Sequence, residues 1–261
     1  MIFTTFAAES GPHISISPQI LWEAGPFAIS NSQVLGLLGT GLVLWLLIST
    51  ARAAKSGKRM NRLQGMVMWI FEMLYKTTVD VIGDRAIARQ IIPLGATIVF
   101  FFAVNNWFGL LPGVGAVTLH GNELFRGVAA DLNTTLAIAI VSIVTAQLWA
   151  VKRRGFGGNL GRYLVNPFKS PIHSFIGILE ILAEISRTAA LALRMFGNVL
   201  GGEVLLAVIG YLTGYAGGLI LPVFYGLELF VGAIQAYVFF MLTIAFISLA
   251  LPAEGETHGA H

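Results

Sequence analysis

The chain contains no cysteine and has little charge. Of its 261 residues, 11% are Asp, Glu, Lys or Arg, and 56% are hydrophobic. Without cysteine, the chain has no disulfides, no thiolate chemistry and no cysteine-ligated metal sites. An ordinary soluble domain is about 25% charged. The low charge, together with a mean hydropathy of +0.79, indicates a membrane protein.

The few histidines also lack a pattern. Their five positions show no metal-ligand spacing such as HxxxH, so we expect no metal and no cofactor, and we expect no nucleic-acid partner. The first 30 residues lack the basic start and the clean apolar core of an ordinary signal peptide. Residues 1–32 are interpreted as an N-terminal arm.

Long apolar runs dominate the remainder of the chain. About 20 apolar residues span a bilayer core, and the runs predict membrane helices at about 33–53, 90–112, 131–152, 171–211 and 218–251. Basic residues cluster after the first and third runs; they are Arg52, Lys55, Lys58, Arg59, Arg62, Lys152, Arg153, Arg154, Arg162 and Lys169. The positive-inside rule then predicts an outer N-terminus and a cytoplasmic C-terminal tail at 252–261.

Residues 63–83 follow a different pattern. Leu63, Val67 and Leu74 share one helical face with Ile70 and Val81, and acidic and basic side chains recur every four residues on another, at Glu72, Lys76 and Asp80. This pattern predicts an amphipathic helix in the membrane interface.

The last two apolar runs are too long for upright spans. Forty residues have to tilt, bend or break where about 20 suffice. We therefore predict an all-α polytopic membrane protein with about five membrane-embedded helices and one interfacial amphipathic helix. The last two helices form a long, strongly tilted hairpin.

Arg194 lies inside the fourth apolar run, far from either end. Arginine keeps its proton in proteins, and a charge at the bilayer centre costs roughly 2.5–3.5 kcal/mol on insertion scales. Such a residue is a functional candidate by default. Glu180 and Arg187 precede Arg194 at intervals of seven, Glu184 lies within reach of both, and Asn198 follows one turn later; the adjacent small residues Gly197, Gly201 and Gly202 allow a second helix to approach closely.

Two acids extend this set. Glu203 is nine residues from Arg194 and so points about 180° away from it. In an antiparallel hairpin, Glu228 lies near Glu203, and Gln235 lies level with Arg194 and Asn198. Carboxylates in a membrane exchange protons with water-filled cavities, so this arrangement suits a proton path that ends at a fixed positive charge. A buried glutamate can also be a structural ion-pair partner, and the glycines can serve packing alone.

Several motifs resemble the a subunit of F-type ATP synthase. They are LRMFGN at 193–198 followed by Gly202 and Glu203, QAYVF at 235–239, ADLNTT at 130–135, and the segment 93–112 with Asn105. The likeness covers about residues 30–251 in the right order. No single motif is specific, but the set is.

That resemblance implies a stator beside a rotating ring of c subunits, each carrying one essential carboxylate. It implies that Arg194 faces the ring and separates two half-channels. Asn198, Glu203, Glu228 and Gln235 would line the outer half-channel, and Glu180 would sit toward the cytoplasmic one. Supporting positions would be Asp131, Asn133, Asn105, Glu184, Arg187, Gly197, Gly201 and Gly202.

The resemblance also implies partners and a location. The partners would be the c ring, b-type peripheral stalk subunits near residues 63–83, and the lipid bilayer. The chain would have no active site of its own. Glutamate at position 228, where many bacterial relatives have histidine, favours an alphaproteobacterial or mitochondrial lineage and thus a bacterial or mitochondrial inner membrane. Protons are favoured over sodium as the coupling ion.

Two other classes of protein compete with the stator hypothesis. A self-contained secondary transporter or ion channel would use the buried Arg/Glu pathway alone, but transporters often show two matching halves, and no such repeat is visible in the sequence. A purely structural membrane scaffold would not require Arg194, Glu203 and Glu228 inside apolar runs.

Overall fold

The computed structural model describes residues 18–251, apart from 25–26, 58, 112–113, 115–117, 120–121 and 164–170. Within them are six α-helices: α1 (Asn31–Ser56), α2 (Arg62–Ile82), α3 (Arg85–Gly109), α4 (Leu132–Tyr163), α5 (Pro171–Thr213) and α6 (Gly217–Ala250). Each of these except α2 is long and apolar enough to cross a membrane. The predicted polytopic all-α class is therefore confirmed.

Short extended segments flank two of the helices. The antiparallel pair β1 (Ile20–Ala24) and β2 (Phe27–Ser30) precedes α1. A second pair, β3 (Thr118–Leu119) and β4 (Asn122–Glu123), lies between α3 and α4, followed by a 3-10 turn at Val128–Ala130. Most of the predicted N-terminal arm, residues 1–17, and the predicted tail, 252–261, lie outside the described residues.

The helix ends follow capping chemistry. Ser30 accepts a hydrogen bond from the backbone N–H of Gln33, whose side chain accepts one from the Ser30 N–H. Asp84 caps α3 by accepting from the N–H groups of Ala86 and Ile87. α2 ends at Gly83, whose φ of 81° lies in the left-handed region that favours glycine. These local signals separate α1, α2 and α3.

The centre of the bundle is α3. The ring of Phe102 is fully buried and lies 4.9 Å from the ring of Phe239 in α6. Close to the α3 C-terminus, Asn106 Nδ2 donates to the carbonyl of Gly232 at 3.5 Å, and Trp107 Nε1 donates to the carbonyl of Leu229 at 3.2 Å. α3 thereby fixes the position of α6 along its length.

One hydrogen bond defines the two ends of the bundle. Ser32 at the start of α1 donates to Asp131 at the start of α4 across 3.0 Å. Both helices run away from this "Asp131 end", so Lys55 and Lys152 fall at the opposite, "basic end". Ser248 near the end of α6 donates to the carbonyl of Val81, which places the end of α2 beside the end of α6.

α2 buries one narrow face. Val67, Leu74 and Thr78 are buried, whereas the charged face of Glu72, Lys76 and Asp80 is exposed. Leu63, expected on the apolar face, is exposed in the first turn, where the helix has not yet reached its neighbours.

α4 continues beyond its apolar part. The part that is apolar enough to cross a membrane is Leu132–Lys152, close to the expected 131–152. The helix then continues to Tyr163 with a kink at Gly155, where the φ of 76° lies in the region that favours glycine.

A glycine sets the distance between α3 and α6. A Cβ at Gly95 would lie 2.7 Å from the ring of Phe240 and 3.4 Å from Ile244 Cδ1. We expect Gly95→Ala to destabilise the bundle by about 1–3 kcal/mol, the usual cost of overpacking, measured as a lower aggregation temperature of the solubilised protein.

The matched control is Gly41→Ala in α1, where a Cβ would meet nothing within 4 Å. This variant gains helix propensity without a clash and should keep the parental aggregation temperature or exceed it. Equal behaviour of the two variants would show that the α3–α6 spacing is not tight.

Candidate functional site

α5 and α6 form an antiparallel hairpin. They are joined by a 3-10 turn at Gly214–Ala216, in which Gly214 has a φ of 47°. α5 has 43 residues and is therefore about 64 Å long at 1.5 Å per residue. The hydrocarbon core is only about 30 Å thick, so a helix of this length can stay in the membrane only by lying aslant or bending.

Arg194 lies on a face of α5 that no described part of the chain covers. The side chains of its neighbours Ala192 and Met195 are buried, whereas Arg194 itself is exposed. Exposed residues recur along α5 at helical spacing and form what we call the α5 stripe: Ala190, Arg194, Gly197, Gly201, Leu205, Val208 and Leu212. A Cβ at Gly197 or Gly201 would meet nothing within 4 Å, so both glycines leave room beside Arg194.

α6 of the hairpin also exposes apolar residues at helical spacing. They include Leu219, Val223, Gly226, Phe230, Ile234 and Tyr237. Among the described side chains of α5 and α6, Arg194 is the one charged group that is exposed. The surface is thus apolar with a single fixed positive charge.

Glu228 points into the hairpin. Its carboxylate contacts the position that a Cβ of Gly202 would occupy, so Gly202 makes room for this acid between the helices. The contact also fixes the register of the α5–α6 hairpin, because it places residue 228 of α6 opposite residue 202 of α5. Seven residues further along α6, Gln235 then lies level with about Met195, beside Arg194.

Glu203 is turned toward the segment that joins α3 and α4. Its Oε1 atom lies 2.6 Å from the position of a Cβ on Gly127. Gly202 and Glu203 are consecutive, so they lie about 100° apart around α5. Glu203 therefore points away from the α5 stripe, toward the segment that joins α3 and α4. Glu228 contacts Gly202, the residue next to Glu203 in α5. The structure brings both acids to the same level of α5.

Two amides lie between these acids and Arg194. Asn198 on α5 and Gln235 on α6 are both half-buried. Asn198 is one turn from Arg194 toward Glu203. Polar side chains therefore follow one another along the hairpin from the Asp131 end toward Arg194.

A second polar group lies on the other side of Arg194, toward the basic end. Gln147 Nε2 of α4 donates to Glu184 Oε1 at 2.5 Å. The guanidinium of Arg187 lies 5.9 Å from the centre of the Phe246 ring. These side chains line a small pocket between α4, α5 and α6. Glu180, half-buried, lies one turn beyond Glu184.

Asp131 has a structural role at the opposite end. It is 3% exposed; Oδ2 accepts from Ser32 Oγ, and Oδ1 accepts from the N–H of Asn133 at 2.9 Å. The sequence predicted this N-terminal position, and the contact with α1 is new. Asn133 itself is exposed and lines, with Asp131, a cavity of about 860 Å³ between α1, α3 and α4.

Asn105 packs where α3 crosses α1. Its amide contacts the position of a Cβ on Gly39, and its Nδ2 donates to the Phe101 carbonyl at 2.8 Å. Its Oδ1 and that of Asn106 are buried and have no hydrogen-bond partner in the described part of the chain. Asn105 therefore belongs to the packing between α1 and α3.

Two polar residues of this region were not predicted from the sequence. Arg126, which lies between the second and third predicted spans, is only 4% exposed. The sequence feature that could have identified Arg126 is a charge within the otherwise apolar run LFRGVAA at 124–130. Gln147 was overlooked inside the third span, although an amide in the middle of an apolar helix is itself a signal.

Comparison with known proteins gives a consistent result. The family described as ATP synthase A chain matches residues 34–248. ATP synthase subunit a of Mycobacterium bovis is 30% identical over 235 residues, which cover 88% of this chain and 90% of the relative. The Nitrosospira multiformis protein of that name is 31% identical over 255 residues, covering 95% and 90%.

The ATP synthase subunit a of Priestia megaterium is 30% identical over 238 residues, covering 89% of this chain and 95% of that one. The family match covers most of the chain, and these relatives are covered nearly end to end. It also agrees with the five apolar helices and with the long hairpin that carries Arg194. The chain therefore belongs to the ATP synthase A chain family, whose members are multi-pass membrane subunits of the ATP synthase complex.

Proposed function

We propose that this chain is the stator of the Fo proton channel and provides two offset half-channels that load and unload protons on a ring of c subunits. The observation that carries the proposal is the position of Arg194. Among the described residues of α5 and α6 it is the single exposed charge on an apolar surface, so in the membrane it requires a partner that brings a negative charge to it. A ring of apolar helices, each with one carboxylate, has that chemistry.

The outer half-channel is assigned to the Asp131 end. Protons enter past Glu203 and Glu228, which lie at one level of the hairpin, and continue along Asn198 and Gln235 toward the ring. A carboxylate that is costly to ionise in the membrane accepts a proton readily from water. In this assignment the N-terminus is outside and the basic end is cytoplasmic, as the positive-inside rule requires.

The inner half-channel is assigned to the polar group near the basic end. Glu184, with Gln147, and Glu180 follow one another along α5. Arg194 lies between these acids and the pair Glu203 and Glu228. Its position supports two separate paths that meet the ring on either side of one arginine.

The mechanism follows from the charge of Arg194. A protonated ring carboxyl is neutral and can rotate into lipid, whereas an ionised one cannot do so cheaply. Near Arg194 the ionised form is favoured, so the proton is released, and the same positive charge repels protons that would pass directly between the paths. The membrane potential supplies about 2.3 kcal/mol per proton for each 100 mV. The chain itself then needs no active site.

The face of α2 and the membrane can be assigned as well. The exposed charged face of α2 fits a b-type peripheral stalk at the cytoplasmic surface. The membrane would be a bacterial inner membrane, since the matched relatives are bacterial proteins. A self-contained transporter would need no partner over the α5 stripe, and the two experiments below separate these functions.

The first test removes the charge of Arg194. Arg194→Ala should abolish ATP-driven proton pumping in inverted membrane vesicles, because nothing then separates the half-channels. Arg194→Lys should restore little, because lysine loses its proton when desolvated. Arg52→Ala, which removes an exposed arginine at the basic end of α1, serves as the control and should pump normally. Coupled pumping by Arg194→Ala would sink the proposal.

The second test identifies what covers the α5 stripe. The chain has no cysteine, so Leu205→Cys places one thiol on the stripe for labelling with a benzophenone maleimide. After illumination of the intact complex, this chain should form an adduct with a small hydrophobic ring subunit, detected by mass spectrometry.

The matched control is Leu42→Cys on α1, because Leu42 and Leu205 are 39% and 40% exposed. It should form no adduct with the ring subunit. Equal labelling of the ring subunit from both sites, or from neither, would count against the assignment of the stripe.

A further inference from the structure

Arg126 is a buried cation that has no role in the proton path proposed above. It lies just before the 3-10 turn at Val128–Ala130, and only 4% of its surface is exposed. An arginine cannot escape burial by losing its proton. A buried charge without compensation is strongly destabilising, so an anionic group has to face Arg126.

Three acidic side chains that the structure describes lie at this end of the bundle. Asp131 is committed elsewhere, since its two oxygens accept from Ser32 and from the N–H of Asn133. Glu228 belongs to the interior of the hairpin, where it contacts Gly202. Glu203 remains, and its Oε1 lies against Gly127, the residue that follows Arg126.

Gly127 explains how the two chain segments come so close. A Cβ at this position would lie 2.6 Å from Glu203 Oε1 and 3.7 Å from Val199 Cγ1. The absence of a side chain lets the backbone beside Arg126 pack directly on α5. Arg126 directly precedes Gly127, so its backbone lies close to the Glu203 carboxylate. Its flexible side chain is long enough to reach that carboxylate.

We propose that Arg126 pairs with Glu203 and is a positioning residue of the outer proton path. Arg126 compensates the charge of Glu203 and fixes the direction of its carboxylate, so that a proton which reaches Glu203 from outer water is not retained there and is passed on toward Glu228. This inference rests on the proposed function, because it assigns Glu203 to the path. It adds a second arginine, which acts through an acid of this chain and not on the ring.

A double-mutant cycle tests the pairing. Arg126→Gln and Glu203→Gln should each slow ATP-driven pumping roughly tenfold, within the range of coupling between neighbouring charges. The double variant should be slowed by a similar factor, because a pair already broken cannot be broken again. Multiplied effects, roughly a hundredfold loss, would mean that the two residues act independently. Unchanged pumping by Arg126→Gln would also overturn the inference.

The amount of subunit in the purified complex gives a second readout. Each single variant leaves one buried charge without its partner and should lower that amount, whereas the double variant should restore it. Arg126→Lys keeps the charge and should retain more pumping than Arg126→Gln. A double variant that assembles as poorly as the worse single variant would refute the pairing.

The two proposals fail in different ways. Arg194→Ala and the adduct from Leu205→Cys test the stator function and do not involve Arg126. If both behave as expected while the double-mutant cycle shows independent effects, the pairing alone is wrong. If Arg194→Ala still pumps, the stator function fails whatever the cycle gives.

Discussion

The structure depends on one constraint: a guanidinium that cannot lose its charge stands on the apolar surface of a membrane helix. The cost of roughly 2.5–3.5 kcal/mol at the bilayer centre is tolerable only if something compensates Arg194. The acids of the hairpin do not lie on its stripe: Glu228 faces the helix interface and Glu203 faces the connecting segment. In the proposed function the compensation comes from a partner, and Arg194 binds and releases the carboxylate of each ring subunit as the ring turns.

Holding such a surface in place requires a rigid support, which α3 provides. It packs against α6 through Phe102 and Phe239, and Gly95 lets the ring of Phe240 lie against its backbone. On the other side, the amide of Asn105 meets Gly39 of α1. Close packing at small residues is the usual means of association in a bilayer, where water supplies no hydrophobic driving force. The hairpin can then leave its other face open.

The sequence predicted most of the fold, because apolar length is a strong signal in membranes. The five spans and the overlong hairpin follow from it. The antiparallel register placed Glu228 near Glu203, and the nine-residue distance from Arg194 turned Glu203 away from that arginine. The residues that were not predicted depend on tertiary packing. Nothing local to Arg126 shows that the connection between α3 and α4 folds back onto α5.

In the proposed mechanism, two arginines in different surroundings let one chain move protons without leaking them. Arg126 is buried and, in the proposed pair, faces an acid of its own chain, so its charge stabilises a fixed arrangement. Arg194 is exposed on the stripe, so its charge is available to each partner in turn. If both arginines were buried, no positive charge would be available to release protons from the ring. If both were exposed, no arginine would fix the carboxylate of Glu203 in the entry path. The connecting segment between α3 and α4 is therefore part of the machinery, because Gly127 brings the enclosed arginine within reach of Glu203.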